Sequence, residues 1–212
     1  MFRLICLGRR ISRDIVNVAI ERFGAIDILV NNAGPSGEAF GLSPIHELRT
    51  TLFDQCMHVG VYGPFWCCKY ALPQVLLQER GVIINISAIA AVRGLPLMGA
   101  YAMAKAALDA LGRQIANDYA SQRIRCNTIV VGTVRPQEND LSTLPAGFDH
   151  AQLDDEIGKT TMVGHVGSYA DVAEAALFLA SPGSKYITGA SLPVEGGALA
   201  KIQYPDYRNV LK

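Results

Sequence analysis

The chain has 212 residues, of which 50% are apolar and 18% charged, a composition typical of a globular protein with one substantial core. Its 19 basic residues balance its 19 acidic residues, so no net field favours nucleic acid or an anionic membrane as a partner. The most apolar stretch, 81–92, contains Asn85 and Ser87 and is shorter than the ~20 residues that span a bilayer. We therefore expect one domain over residues 1–200 and a short tail over 201–212.

The cysteine and histidine pattern indicates neither disulfides nor metal. The five cysteines are odd in number, lack Cys-x-x-Cys spacing and follow no secretory signal. A cytoplasmic, reducing setting is therefore expected. The arginines before Asp14 resemble an organelle transit peptide, but that segment leads directly into a predicted helix. No histidine shows metal-ligand spacing with another histidine or with a cysteine, so no metal site is expected.

Hydrophobic spacing and turn residues predict alternating helices and strands. Apolar residues at three- and four-residue intervals mark helices, and short apolar runs that end in turn residues mark buried strands. In chain order the predicted elements are a helix from Ile11 to Gly24, a strand over 26–30, a helix that follows Ser43-Pro44 and runs from about Leu48 to Gln78, a strand over 81–87, a helix over 100–120, a strand over 124–131, a helix opened by a capping box at 168–171 and running to Ala180, and a strand over 191–194. This order predicts a doubly wound parallel α/β sheet with helices on both faces. The polar stretch from Thr133 to Val166 is too long for an ordinary connection, and we interpret it as a substrate loop or lid.

Tyr101 and Lys105 are the first candidates for chemistry. Four-residue spacing at the start of a helix places a phenol and an ammonium on one face. A nearby cation favours the phenolate, so we expect the pKa of Tyr101 to fall toward working pH, where its hydroxyl gives or takes a proton. The same spacing arises by chance in many helices, so spacing alone leaves a structural role open.

The segments around this pair match a known family. Asn31-Asn32-Ala33-Gly34 and the strand over 82–87 precede the pair, and further matching stretches lie at 27–30, 124–127, 171–175 and 192–197. From about Ile5 to Ala200, in order and spacing, the chain resembles the short-chain dehydrogenase/reductase family. The resemblance implies a Rossmann-like fold in which Tyr101 is the general acid or base at a substrate carbonyl or carbinol, and Lys105 lowers its pKa and holds the nicotinamide ribose. It also makes Asn31, Gly34 and Val134 candidates for binding NAD or NADP.

Two catalytic positions of the family are changed in this chain. The family's catalytic serine falls on Ala88. Ser87 could replace it only if the strand end slips or bulges, because adjacent strand residues face opposite sides. The family's proton-relay asparagine falls on Gly60, which has no side chain to hold a water.

The start of the chain departs further from the family. The family begins with a strand and a glycine-rich turn that bind the cofactor pyrophosphate, and this sequence has neither. By this count the first two strand–helix units are missing, residues 2–6 stand in for the third strand, and Cys6 replaces an aspartate near the adenine. The glycines over 34–41 lack G-x-G-x-x-G spacing and predict a loop. Arg135 replaces a threonine that contacts the nicotinamide amide, and it either meets an anionic ligand group or lies on the surface of the lid.

Three functions remain open. The first is a cofactor-independent enzyme that uses Tyr101 and Lys105 to isomerise, dehydrate or cyclise a small carbonyl- or hydroxyl-bearing molecule, because the proton-transfer pair is kept while the phosphate-binding elements are lost. The second is an NAD(P)-dependent oxidoreductase with a rearranged or missing cofactor half. The third is a non-catalytic scaffold subunit, which Ala88 and Gly60 favour. Since loss of the first units exposes the central strand edge, we expect a homodimer or homotetramer through the helices over 48–78 and 100–120.

Overall fold

The structure, a computed structural model, describes residues 8–135 and 150–201. Its helices and strands in chain order are α1 (Arg9–Phe23), β1 (Ile28–Asn31), α2 (Thr50–Met57), α3 (Gly63–Leu77), β2 (Gly81–Ala88), α4 (Gly99–Tyr119), β3 (Ile124–Val131), β4 (Val134–Arg135), α5 (His150–Thr160), β5 (Gly167–Ser168), α6 (Tyr169–Ala180) and β6 (Ser191–Val194). A π-helical turn over His58–Tyr62 joins α2 to α3.

The main sheet is parallel and has the strand order β1-β2-β3-β6. Alternate residues of its central strands are buried against opposite layers. Ile83 of β2 packs with α3 and α4 on one face, and its neighbour Ile84 packs with α6 on the other. Because both faces are covered, the only polar residues of β2 are Asn85 and Ser87, which fits the largely apolar pattern of a central strand in a parallel sheet. The predicted α/β fold is confirmed.

Several local predictions are confirmed as well. α1 ends at Gly24, which has a left-handed φ of 79° and donates its N–H to the Ile20 carbonyl. At the start of α6, the Ser168 hydroxyl accepts from the Asp171 N–H, and the Asp171 carboxylate accepts from the Ser168 N–H. β3 and β6 have the predicted bounds.

The structure differs in detail from the predictions for segments 43–78 and 133–166. Ser43-Pro44 precedes a short 3-10 turn, and the long helix begins at Thr50, two residues later than expected. That helix contains the π-helical turn. The stretch interpreted as a substrate loop or lid contains β4 and α5, and its role as a lid stays a prediction. Sequence reasoning missed α5 because only Leu153 and Ile157 are large apolar residues in it, too few to establish a helical period.

Within the described ranges β1 is an edge strand, and its Ile28 and Val30 side chains remain 46% and 44% exposed. Among the helices of these ranges, none is long and apolar enough to cross a bilayer. The predictions for residues 2–6 and for the tail beyond Lys201 lie outside the described residues.

Candidate functional site

A cavity of about 620 Å³ lies at the C-terminal ends of β1, β2 and β3, and we call it the strand-end cavity. In open parallel sheets, ligands bind outside the carboxyl ends of the strands. Its walls come from the loop after β1, the end of β2, the start of α4, the segment after β3, and α5. Most of its lining is aliphatic or aromatic. The lining includes Gly34, Phe40, Ile86, Ser87, Ala88, Tyr101, Lys105, Val134, Arg135, Leu153 and Ile157. The strand-end cavity is the candidate active site.

Tyr101 lies in the first turn of α4 and is largely enclosed. Its ring centroid is 4.8 Å from that of Phe40, and it packs against a buried cluster that includes Cys56 and Ala104. Burial raises the pKa of the Tyr101 phenol to about 12, and the nearby Cys56 acts in the same direction. The expected fall in this pKa is therefore wrong, because removal from water disfavours the phenolate. At neutral pH Tyr101 keeps its proton and can donate it.

Lys105 lies one turn further along α4 and is only 4% exposed. Its ammonium donates to the Ile86 carbonyl at 2.7 Å and lies 5.5 Å from the centroid of the Tyr101 ring. Burial lowers the pKa of Lys105 to about 8, although Asp109 and Cys56 oppose this shift. Gly34 borders the ammonium so closely that a Cβ atom there would be 3.2 Å from Nζ. The structure thus brings the predicted pair together in the strand-end cavity.

Ser87 and Ala88 differ in the direction of their side chains. β2 pairs regularly with β3 up to its last residue, without the slip or bulge that Ser87 would need to replace the family serine. The Ser87 hydroxyl is buried and donates to the backbone carbonyl of Lys105 at 3.4 Å. Ala88 lines the cavity at the position of the family serine. A catalytic role for Ser87 stays a prediction.

The three cofactor candidates are placed differently. Gly34 and Val134 line the strand-end cavity. The Asn31 side chain instead turns into the core, where its amide donates to Asn85 Oδ1 at 2.8 Å and to Cys68 Sγ at 3.3 Å. Asn31 therefore joins β1 to β2 through its side chain, and its part in cofactor binding stays a prediction.

Arg135 follows β3 and binds Asp154 of α5. Its Nη2 and Nε atoms lie 2.9 and 3.0 Å from Asp154 Oδ1, and Nε is 3.4 Å from Oδ2. The Arg135 side chain is 17% exposed and that of Asp154 29%. Sequence reasoning identified Arg135 but missed Asp154, because no spacing rule joins two residues that are 19 positions apart.

The space beside Tyr101 in the strand-end cavity is bordered by Lys105, Gly34 and the segment after β3. A pyrophosphate is held by backbone N–H groups of a glycine-rich turn between a strand and a helix, and residues 8–135 and 150–201 contain no such turn. The same residues bring no three His, Cys, Asp or Glu side chains together as metal ligands.

Comparison with known proteins establishes the family. The sequence model described as enoyl-(acyl carrier protein) reductase matches residues 11–198. The 2-(R)-hydroxypropyl-CoM dehydrogenase of Xanthobacter autotrophicus is 36% identical over 189 residues, which cover 87% of this chain and 73% of that protein. This chain belongs to the short-chain dehydrogenase/reductase superfamily.

Solved structures agree with this assignment. ElxO with NADP bound has a TM-score of 0.83 and 28% identity, and the match covers 94% of this chain and 78% of ElxO. The gluconate 5-dehydrogenase from Burkholderia cenocepacia, in complex with NADP and tartrate, has a TM-score of 0.82 and 27% identity, covering 93% of this chain and 74% of that one. The Rossmann-like fold expected from the sequence is thus confirmed.

Proposed function

We propose that this chain is an NAD(P)-dependent oxidoreductase that acts on a carbonyl or hydroxyl group of a small molecule in the strand-end cavity. The observation that carries the proposal is the meeting of Tyr101 and Lys105 in that cavity, in a chain of this superfamily. Relatives named as dehydrogenases and the NADP complexes of ElxO and the gluconate dehydrogenase support this function over the cofactor-independent enzyme considered first from the sequence. The expectation of no cofactor is given up accordingly.

Tyr101 acts as the general acid when a carbonyl is reduced. Its phenol is protonated at neutral pH, because burial holds its pKa near 12. It donates that proton to the carbonyl oxygen, and the ammonium of Lys105 stabilises the phenolate that remains. A nicotinamide dinucleotide supplies the hydride chemistry when bound. Most of the cavity lining is apolar, which strengthens these electrostatic interactions.

The test is a fluorescence titration of the purified chain with NADH and NADPH, followed by carbonyl-reduction assays. We expect micromolar binding of one dinucleotide. We expect Tyr101→Phe to bind it equally well and to lose activity by about 10²- to 10⁴-fold, the range of a general acid. Tyr119→Phe, at the far end of the same helix, is the matched control and keeps full activity. Absence of binding by either dinucleotide would overturn the proposal, and full activity in Tyr101→Phe would remove Tyr101 from the mechanism.

A further inference from the structure

The wall of the strand-end cavity contains a partly buried ion pair. Arg135 lines the cavity, and its guanidinium contacts the carboxylate of Asp154 through Nη2 at 2.9 Å and Nε at 3.0 Å. Asp154 lies on α5 next to Leu153, which also lines the cavity, as does Ile157 one turn later. Because the two side chains are only 17% and 29% exposed, solvent screens this pair less than a surface pair.

Asp154 occupies the part of Arg135 that binds anions best. A guanidinium recognises a carboxylate through two adjacent N–H groups that point in one direction. In this structure Nε and Nη2, which form one such edge, are both directed at Asp154. A ligand carboxylate would have to displace Asp154 to use that edge.

The other described residues that line the cavity do little to stabilise a ligand anion near α5. Lys105 and Arg135 are the charged side chains among the described residues that line the cavity. The Lys105 ammonium donates to the Ile86 carbonyl and lies beside the Tyr101 ring. Near α5, where Arg135 is already paired with Asp154, an anionic ligand group would therefore lose its water against aliphatic walls without gaining a new charge partner, which is costly.

We propose that Asp154 is a specificity-determining residue: by holding Arg135 it makes the strand-end cavity select uncharged, apolar alcohols or ketones over substrates that carry a carboxylate near α5. The inference rests on the proposed function only in taking this cavity as the substrate site. Under this proposal Arg135 pairs with Asp154 in the wall of the cavity and does not bind an anionic group of the ligand.

The test measures binding and needs no turnover. Isothermal titration calorimetry compares cyclohexanecarboxylate with its methyl ester as probes. We expect the wild-type chain to bind the ester more tightly than the carboxylate. We expect Asp154→Asn to bind the carboxylate about tenfold more tightly than the wild type does, because the freed guanidinium gains a charge-assisted contact, while ester binding changes less than about twofold.

The matched control is the neighbouring residue. Asp155→Asn removes the same charge from the same helix, but Asp155 is exposed and pairs with Lys159 at 2.7 Å rather than with Arg135. We expect this variant to bind both probes as the wild type does. If Asp155→Asn gained the same carboxylate affinity, the change in net charge alone would explain the effect, and the proposal would be overturned.

A double variant tests the proposal even if Asp154→Asn disturbs the packing of α5. Arg135→Gln with Asp154→Asn removes both charges, and we expect its carboxylate affinity to equal that of the wild type. A loss of about tenfold would mean that Arg135 already binds anions in the wild type, and the proposal would be wrong. It would be wrong also if the wild type preferred the carboxylate, or if neither probe bound any variant. Dinucleotide binding is measured separately, so a failure of the proposed function would be recognised on its own.

Discussion

Ala104 on α4 fills the place where a side chain at Gly60 would begin. A Cβ atom at Gly60 would lie 2.8 Å from the Cβ of Ala104, a separation too short for two carbon atoms. Gly60 is buried in the π-helical turn between α2 and α3, and Ala104 directly precedes Lys105. A side chain at Gly60 would therefore require α4 or the π-helical turn to shift.

Gly60→Ala is therefore expected to destabilise the protein. Alanine favours helical backbone over glycine by about 1 kcal/mol, but overpacking a buried site costs about 1–3 kcal/mol, so the net effect is a loss. The free energy of unfolding is measured by urea titration. Ala104→Gly should cost less stability in the Gly60→Ala background than in the wild type, since it removes the opposing methyl group.

The control for that cycle is Ala110→Gly, an exposed position in the same helix, which reports the backbone cost of glycine alone. The two substitutions do not interact if their changes in the free energy of unfolding add within about 0.5 kcal/mol. That result would show that side chains at Gly60 and Ala104 do not collide.

Ser87 and Ala88 give opposite expectations for activity and stability. Ala88→Ser places a hydroxyl in the strand-end cavity at the family's serine position, and we expect carbonyl reduction to rise by about tenfold or more.

Ser87→Ala removes a buried hydroxyl that donates to the Lys105 carbonyl, so we expect a stability loss of about 1 kcal/mol and little change in turnover. Steady-state kinetics and urea unfolding check the two effects.

The contrary result would revise the site. If Ser87→Ala abolished turnover while the fold and dinucleotide binding were kept, Ser87 would be the catalytic serine, as the sequence allowed. β2 would then have to adopt a bulge near its end in the active enzyme.

The capping box of α6 is predicted to contribute to stability. Ser168→Ala removes the hydroxyl that accepts from the Asp171 N–H, and loss of such an N-cap costs about 1 kcal/mol. Ser36→Ala, an exposed loop position, is the control and should leave the unfolding midpoint unchanged. Equal midpoints for Ser168→Ala and the wild type in urea would show that the cap does not stabilise the fold.

Local patterns explain what the sequence could predict. The strands, the ends of α1 and α6 and the Tyr101–Lys105 spacing each depend on residues within a few positions of one another. The pKa of Tyr101 could not be predicted in the same way, because its burial depends on Phe40 and Cys56, which come from distant segments. The same holds for Asp154 and Arg135, whose pairing requires the position of α5 over the cavity.

Lys105 links stability to pH through its burial. Its pKa is lowered from 10.5 to about 8 in the folded chain. Between these values the unfolded chain binds more protons than the folded one, so this group makes stability rise with pH. The buried thiols of Cys56, Cys68 and Cys126 act in the opposite direction above their ordinary pKa of 9.0, because burial raises their pKa values to about 11 or 12. The effect of Lys105 is therefore clearest between pH 8 and pH 9.

Comparing the wild type with Lys105→Met isolates this effect, since the thiols are common to both proteins. From pH 8 to pH 9 we expect the difference in unfolding free energy to shift in favour of the wild type by about 1 kcal/mol. Guanidinium titrations at the two pH values measure it. Lys69→Met, at an exposed position on α3, is the control and should give a difference that does not depend on pH. A flat difference for Lys105→Met as well would mean that Lys105 keeps an ordinary pKa in the folded chain.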